Sequence, residues 1–303
     1  MKQRLNIPFI KYRHLFMLIS LAAVVASLAL FATRGFNYGI DFQGGAKLEF
    51  KFDQPVTEGA IRSALADLNL GDVSVVRFGE ARDNRMSIKV ELPKEHAEIG
   101  RNITAALEKS FGEGSVHLEQ EETVGPRVGK ELRKKAWLTI LFSWALMLIY
   151  IGYRFDFLYA PGAVTALIHD VIITLGFFSL LGKEINLAIL AALLTLIGYS
   201  INDTIVVFDR IRENKSHLSH STIKDVVNES INSTLARTLI TSVTVLFVVV
   251  VLFLKGGGTL HDFAFALIVG VIVGTYSSVF IASPIYISAY NQWPRIRRLW
   301  AKH

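Results

Sequence analysis

The chain has no cysteine among its 303 residues. Disulfides, thiolate metal sites and cysteine nucleophiles are therefore excluded outright. Charge is also scarce: Asp, Glu, Lys and Arg make up only 19% of the chain, against 51% hydrophobic residues. That balance is the profile of a polytopic membrane protein, not a soluble one. The hydrolytic signatures are missing too. There is no G-x-S-x-G, no H-E-x-x-H and no second aspartate in a G-x-G-D context, so an intramembrane hydrolase is set aside. His96 and His117 stand isolated. No enzymatic reaction, cofactor or resident metal is expected. The net charge of +6 raises the question of nucleic acid. Its distribution argues against that partner: residues 41–125 hold 16 acidic and 10 basic side chains. The basic excess lies beside the apolar runs, where topology and anionic lipid headgroups account for it.

Six apolar runs are present, at 15–33, 136–153, 157–181, 185–208, 238–254 and 263–290. Each is long enough for a helix to cross or nearly cross a bilayer. The first follows Lys2, Arg4, Lys11 and Arg13, which also suits a signal peptide; its 19 apolar residues are long for that role and no A-x-A site follows cleanly, so an uncleaved anchor is expected. With the N-terminus inside, the inner segments carry 14 Lys and Arg and the short outer loops only Lys183 and Lys255. That asymmetry places both termini in the cytoplasm. Lys130, Arg133, Lys134 and Lys135 conflict locally, but they follow a long translocated domain, where the rule is weak.

The expected division is 1–33 (cytoplasmic N-terminus and first span), 34–135 (an outer domain), 136–290 (the other five spans, with an inner loop at 209–237) and a basic tail at 291–303. In the outer domain, strands are read at Ala46–Asp53, Asp72–Glu80, Met86–Leu92 and Val116–Val124, and helices at Thr57–Leu70 and His96–Phe111. The order β-α-β-β-α-β is that of a ferredoxin-like unit. The fold class is thus an α-helical polytopic membrane protein with six transmembrane helices and one periplasmic α+β ferredoxin-like domain. In the inner loop, Ile223, Val226, Val227, Ile231 and Leu235 recur at helical spacing. They predict an amphipathic helix, lying on the membrane face or packed under the bundle.

Asn202 and Asp203 fall about 5 residues before the inner end of the fourth span, roughly 7–8 Å into the bilayer. An intramembrane carboxylate is costly and is usually paired and functional. Arg237 enters the fifth span at similar depth and shares a helical face with Thr241 and Thr244. With Tyr199 and Ser200 one turn from Asp203, a polar seam between adjacent helices is expected. The pair either satisfies itself structurally or forms a switch, Arg237 keeping Asp203 charged in one state and moving away in another. His169-Asp170 sits further out, roughly 20 Å from the inner end of the third span, as a second ion station or a structural hydrogen bond. Ala266, Gly270, Gly274, Ser278 and Ala282 form a small-residue stripe for close helix packing, with Pro284 expected to kink the end. Gly39, Asp41, Gly44 and Gly45 belong to a glycine-rich turn without the Lys-Ser/Thr of a phosphate loop.

The chain resembles the SecF branch of the SecD/SecF family along nearly its whole length. The carrying motifs are Gly39-Ile40-Asp41-Phe42-Gln43-Gly44-Gly45, Ala166-Leu167-Ile168-His169-Asp170-Val171, Gly198 through Glu213, Val227-Asn228-Glu229-Ser230-Ile231-Asn232 and Leu235-Ala236-Arg237-Thr238. The resemblance implies half of a resistance-nodulation-division fold in the bacterial inner membrane. It implies SecD as heteromeric partner, the SecYEG translocon and preproteins as clients, and YajC and YidC as further neighbours. It also implies use of the proton-motive force for preprotein translocation, with Asp203 and Arg237 on the ion pathway. A small-molecule exporter of the same architecture and a passive translocon scaffold are the alternatives. Proton and sodium coupling are both compatible with a carboxylate among hydroxyls.

Overall fold

The computed structural model describes residues 6–68, 70, 71, 73–79, 83–91, 99–217 and 221–300, with the backbone alone at 217 and 293–300. Lys2, Arg4, His96, Lys302, the outer ends of the strand read at 72–80 and the first residues of the helix read at 96–111 lie outside the described residues.

Among the described residues, six helices are long and apolar enough to cross a membrane. They are α1 (Arg13–Thr33), α5 (Pro126–Arg154), α6 (Ala160–Leu181), α7 (Leu187–His217), α8 (Ile223–Lys255) and a sixth span built of α9 (Gly258–Ser277), a π-helical turn (Ser278–Ala282) and α10 (Ser283–Trp300). The α6 helix stops at Gly182, which takes the left-handed conformation (φ 63°) that closes a helix end. The sixth span, α6 and α7 form the buried centre, whereas α1, α5 and α8 present mostly exposed apolar faces.

The segment 209–237 differs from the expected loop with a separate helix. The α7 helix continues to His217, and α8 starts at Ile223 with a capping box between Thr222 and Asp225. The apolar positions Val226, Val227 and Ile231 are buried in the first turns of the same helix that becomes the fifth span. Pro284 stands in the first turn of α10, directly after the π-helical turn, where a missing N–H is tolerated, and the Ser283 hydroxyl donates to Ser278 O at 2.9 Å.

The extramembrane domain carries β2 (Gly45–Phe52), α3 (Glu58–Leu65), β3 (Ser74–Phe78), β4 (Arg85–Val90), α4 (Ile99–Phe111) and β5 (Val116–Val124). Its antiparallel sheet has the order β3-β4-β2-β5, the strand arrangement of a ferredoxin-like split βαβ unit. Thr57 caps α3 by accepting from Ala60 N. Leu48, Phe50, Ile61, Leu65, Met86, Ile88, Ile103 and Leu107 make the core. His117 is exposed and contacts Asp53 at 3.1 Å, a surface role.

Domain and bundle meet at several joints. The short strand β1 (Asn37–Tyr38) pairs in parallel with β6 (Glu184–Ile185) between α6 and α7. The α5 helix begins at Pro126, so the basic cluster at 130–135 is helical. Arg133 lies over the Tyr38 ring at 5.1 Å, and Lys135 pairs with Glu131. Lys89 of β4 pairs with Glu184, and Lys183 with Asp262 at 2.5 Å. At the opposite end of the bundle, Asn228 and Asn232 of α8 hold the main chain of Ile7: both amides donate to Ile7 O, and Asn232 Oδ1 accepts from Ile7 N.

Burial, with a smaller contribution from Lys47, pulls the Lys89 ammonium down to about 8 from 10.5, against the opposing pull of Asp262 and Asp41. Between those pH values the unfolded chain keeps a proton that the folded chain has released, so this group stabilises the fold increasingly as pH rises through the window. Thermal unfolding in detergent checks it. The unfolding midpoint of the wild type, relative to Lys89→Met, is expected to rise from pH 8 to 10.5, whereas a flat difference contradicts the assignment.

Candidate functional site

Among the described residues, two buried aspartates lie in the bundle, and their surroundings differ. Asp170 on α6 is fully buried. Its Oδ2 accepts from Ser200 Oγ of α7 at 2.6 Å and from Ser277 Oγ of α9 at 2.9 Å. Its Oδ1 faces His169 Nδ1 at 2.9 Å. One carboxyl group thus ties three helices together. The close approach requires Gly274: a Cβ there would meet Ser200 Cβ at 3.0 Å and Asp170 Oδ2 at 3.5 Å. The His169 ring stacks at 6.2 Å on Tyr276, whose hydroxyl reaches Ser20 and Phe16 O on α1; His169 Nε2 is buried without a partner.

Asp203 lies further along α7, also buried (3% exposed). The Ser242 hydroxyl approaches its carboxylate and Arg237 acts on it through space. Yet Oδ2 has no hydrogen-bond partner, and Asp203 and Arg237 make no direct ion pair among the described residues. Arg237 is exposed, lining a cavity of ≈ 460 Å³ between α5, α7 and α8 with Arg154, Asp209 and Glu213. Of the two alternatives, the self-satisfied pair is therefore not formed in this conformation.

The polar seam is present with a different membership. Ser200 serves Asp170, not Asp203. Asn202 is exposed on the other side of α7. Thr241 turns its hydroxyl back onto Arg237 O and Thr238 O of its own helix. Tyr199 does reach across, donating to Ser242 Oγ at 3.3 Å. The buried face of α8 is instead Ser230, Thr234, Thr238 and Ser242, four hydroxyl residues spaced by one turn. That spacing is visible in the sequence but competes with the Arg237, Thr241 and Thr244 face on the same helix. Ser242 then passes the network to Thr275 of α9 at 2.7 Å, and Thr204 of α7 meets Ser278 at 2.9 Å.

The glycine-rich turn forms the helix α2 (Ile40–Gln43), capped behind by Gly39. Asp41 Oδ2 accepts from Leu187 N at 2.9 Å, at the first turn of α7. Gly44 (φ 85°) lies against α5: a Cβ on it would meet Pro126 Cα at 2.6 Å, and one on Gly129 would meet Gly44 N at 2.7 Å. The small-residue stripe of the sixth span also packs closely, a Cβ on Gly270 meeting Leu196 Cδ1 at 2.6 Å.

Comparison with known proteins gives a consistent result. The model of the SecD/SecF C-terminal protein export membrane protein family matches residues 103–292, and that of the SecD/SecF GG motif matches residues 29–56. The protein translocase subunit SecF of Calditerrivibrio nitroreducens is 46% identical over 92% of this chain and 92% of its own. That of Vibrio alginolyticus is 44% identical over 94% of this chain and 90% of its own. A solved translocon-associated SecDF from Thermus superposes with a TM-score of 0.83 at 35% identity, covering 96% of this chain and 39% of the SecDF chain. The present chain thus spans about two fifths of that SecDF chain. With a family model over most of its length and close relatives along nearly all of it, the chain belongs to the SecF branch of the SecD/SecF family of protein export membrane proteins.

Proposed function

We propose that this chain is the SecF-type half of a two-part protein translocase of the bacterial inner membrane, completed by a separate SecD-type chain. In this reading the bundle couples passage of an ion, proton or sodium, to movement of the extramembrane domain, which promotes preprotein translocation and release from SecYEG at the periplasmic side. YajC and YidC are further neighbours of the assembly. The excess of basic residues on one side supports cytoplasmic termini and a periplasmic domain.

The observation that carries the proposal is Asp203: a buried carboxylate with a free oxygen, beside hydroxyls, within the field of an arginine that it does not bond. A carboxylate left unpaired in a bundle interior marks an ion or proton pathway. Neutralising it supplies the differential interaction that a two-state element needs. Asp170, by contrast, is read as a fixed joint, its oxygens engaged from three helices.

The test is preprotein translocation into inverted inner-membrane vesicles carrying SecD with the Asp203→Asn variant, with and without a proton gradient and with sodium varied. The variant keeps the shape and loses the titrating group. It is expected to lose the gradient-stimulated part of transport while ATP-driven transport persists. A full gradient response would return the chain to the role of a passive scaffold. Dependence of the stimulation on sodium at a fixed proton gradient would identify sodium as the ion.

A further inference from the structure

The hydroxyl ladder on α8 has one irregular rung. Ser and Thr in helices ordinarily bond back to a carbonyl in the preceding turn. Ser230 does so at 2.7 Å and also receives Asn214 Nδ2 at 2.9 Å. Thr234 bonds back to Ser230 O at 2.9 Å. Ser242 is engaged by Thr275 and Tyr199. Thr238 Oγ1 alone of the four has no partner, though the residue is only 4% exposed.

Asp203 supplies the matching group. The helices α7 and α8 run antiparallel, and Tyr199 meets Ser242 across the seam. One turn along α7 from Tyr199 is Asp203; one turn back along α8 from Ser242 is Thr238. Asp203 Oδ2 and Thr238 Oγ1 are both buried and unpartnered, and Ser242, one turn from Thr238, approaches the Asp203 carboxylate, so the two oxygens fall within about a turn of each other along the same seam. One turn further along, Thr234 lines the charged cavity at the end of the bundle away from the domain. The ionisable groups around the route are Arg237 on α8, Asp209, Arg210, Glu213 and Tyr199 on α7, and Arg154 and Tyr150 on α5.

We infer that this ladder is the access route between the cavity and Asp203, and that Thr238 is a positioning residue on it. Its hydroxyl and Asp203 Oδ2 together hold a water molecule, which hands a proton to the carboxylate. The water gives up one proton to Oδ2 and regains one from the cavity side, so Asp203 goes from −1 to neutral and no other bond changes. A bridging water of this kind needs two or more polar partners, and these oxygens provide them. The inference rests on the reading of Asp203 as the coupling group.

The absence of cysteine makes the test direct. Single variants Thr234→Cys, Thr238→Cys and Ile240→Cys, each assembled with SecD in inverted vesicles, are treated with a charged, membrane-impermeant thiosulfonate from the cavity side. Ile240 is 65% exposed on the apolar outer face of α8. Only a wetted thiol ionises and reacts, so positions 234 and 238 are expected to label at least about tenfold faster than 240. In parallel, Thr238→Val should cut gradient-stimulated transport about tenfold, the size of losing one positioning hydrogen bond, and Thr238→Ser should restore it. A merely structural role would not separate Val from Ser while leaving ATP-driven transport intact. Labelling at 238 no faster than at 240, or an unchanged gradient response in Thr238→Val, overturns the route. If Asp203→Asn loses the gradient response in the same vesicles, only the ladder has fallen; if it too responds fully, the coupling reading falls and the ladder with it.

Discussion

Asp170→Ala is expected to destabilise the bundle by about 3–5 kcal/mol, because it leaves buried donors without their acceptor. The donors are specific: Ser200 Oγ, Ser277 Oγ and His169 Nδ1 all converge on this carboxylate from α6, α7 and α9. For a chain of this size the loss corresponds to roughly 10 °C in the unfolding midpoint, readable by thermal unfolding in detergent. Asp170→Asn keeps the shape and one acceptor oxygen, and should recover part of the loss. Ser200→Ala and Ser277→Ala remove one donor each and should cost about 1.5–3 kcal/mol apiece. An alanine variant at 170 as stable as the wild type would show that the three helices do not depend on this joint. A well-folded asparagine variant that kept its gradient response would support the fixed role and leave Asp203 as the group that titrates.

The second large effect is expected at the glycine turn. Gly44 has φ 85° and ψ 162°, a region essentially closed to other residues and costing about 1–3 kcal/mol. Its Cβ would also lie 2.6 Å from Pro126 Cα, which is backbone and cannot swing aside. Gly44→Ala is thus expected to separate α2 from α5 and expose the 39–45 turn to protease in folded, detergent-solubilised protein. Gly129→Ala attacks the same contact from the other side and should give the same cleavage. Gly59→Ala is the control: it lies in α3 with no atom within 4 Å of the added Cβ, and should stabilise by about 0.5–1 kcal/mol. Equal protease resistance in all three variants would overturn the packing argument.

The apolar runs and the alternation of 45–124 were enough to read six spans and the strand order, because burial imposes those periods directly on composition. The small-residue stripe at 266–282 was legible for the same reason. What could not be read was the choice between faces. The α8 helix offers two polar faces, one through Arg237 and Thr241 and one through Ser230, Thr234, Thr238 and Ser242, and only packing against α7 and α9 decides which is inward. Ser200 was close to Asp203 in sequence, yet it turns to Asp170 on another helix. The lower hydropathy of 209–237 reads as an inner loop, while the helices carry on past the apolar stretch with their exposed faces bearing charge.

The grip of Asn228 and Asn232 on Ile7 bears on how α1 behaves mechanically. Both side chains hold main-chain atoms only, so the fastening is indifferent to the side chain at position 7. At the domain end, Arg34 Nη1 and Asn37 Nδ2 likewise fasten to main-chain oxygens, those of Leu180 and Gly182. Between these anchorages only Ser20 and Ser27 of α1 are buried. The helix, roughly 30 Å long, is thus fastened at its tips through main-chain atoms and also gripped along its shaft, by the Tyr276 hydroxyl at Ser20 and Phe16 O and by Ser27 set against Gly176. A slip of α8 by a fraction of a turn would therefore reach the root of the extramembrane domain only by carrying α1 with it and shifting α1 against α6 and the sixth span.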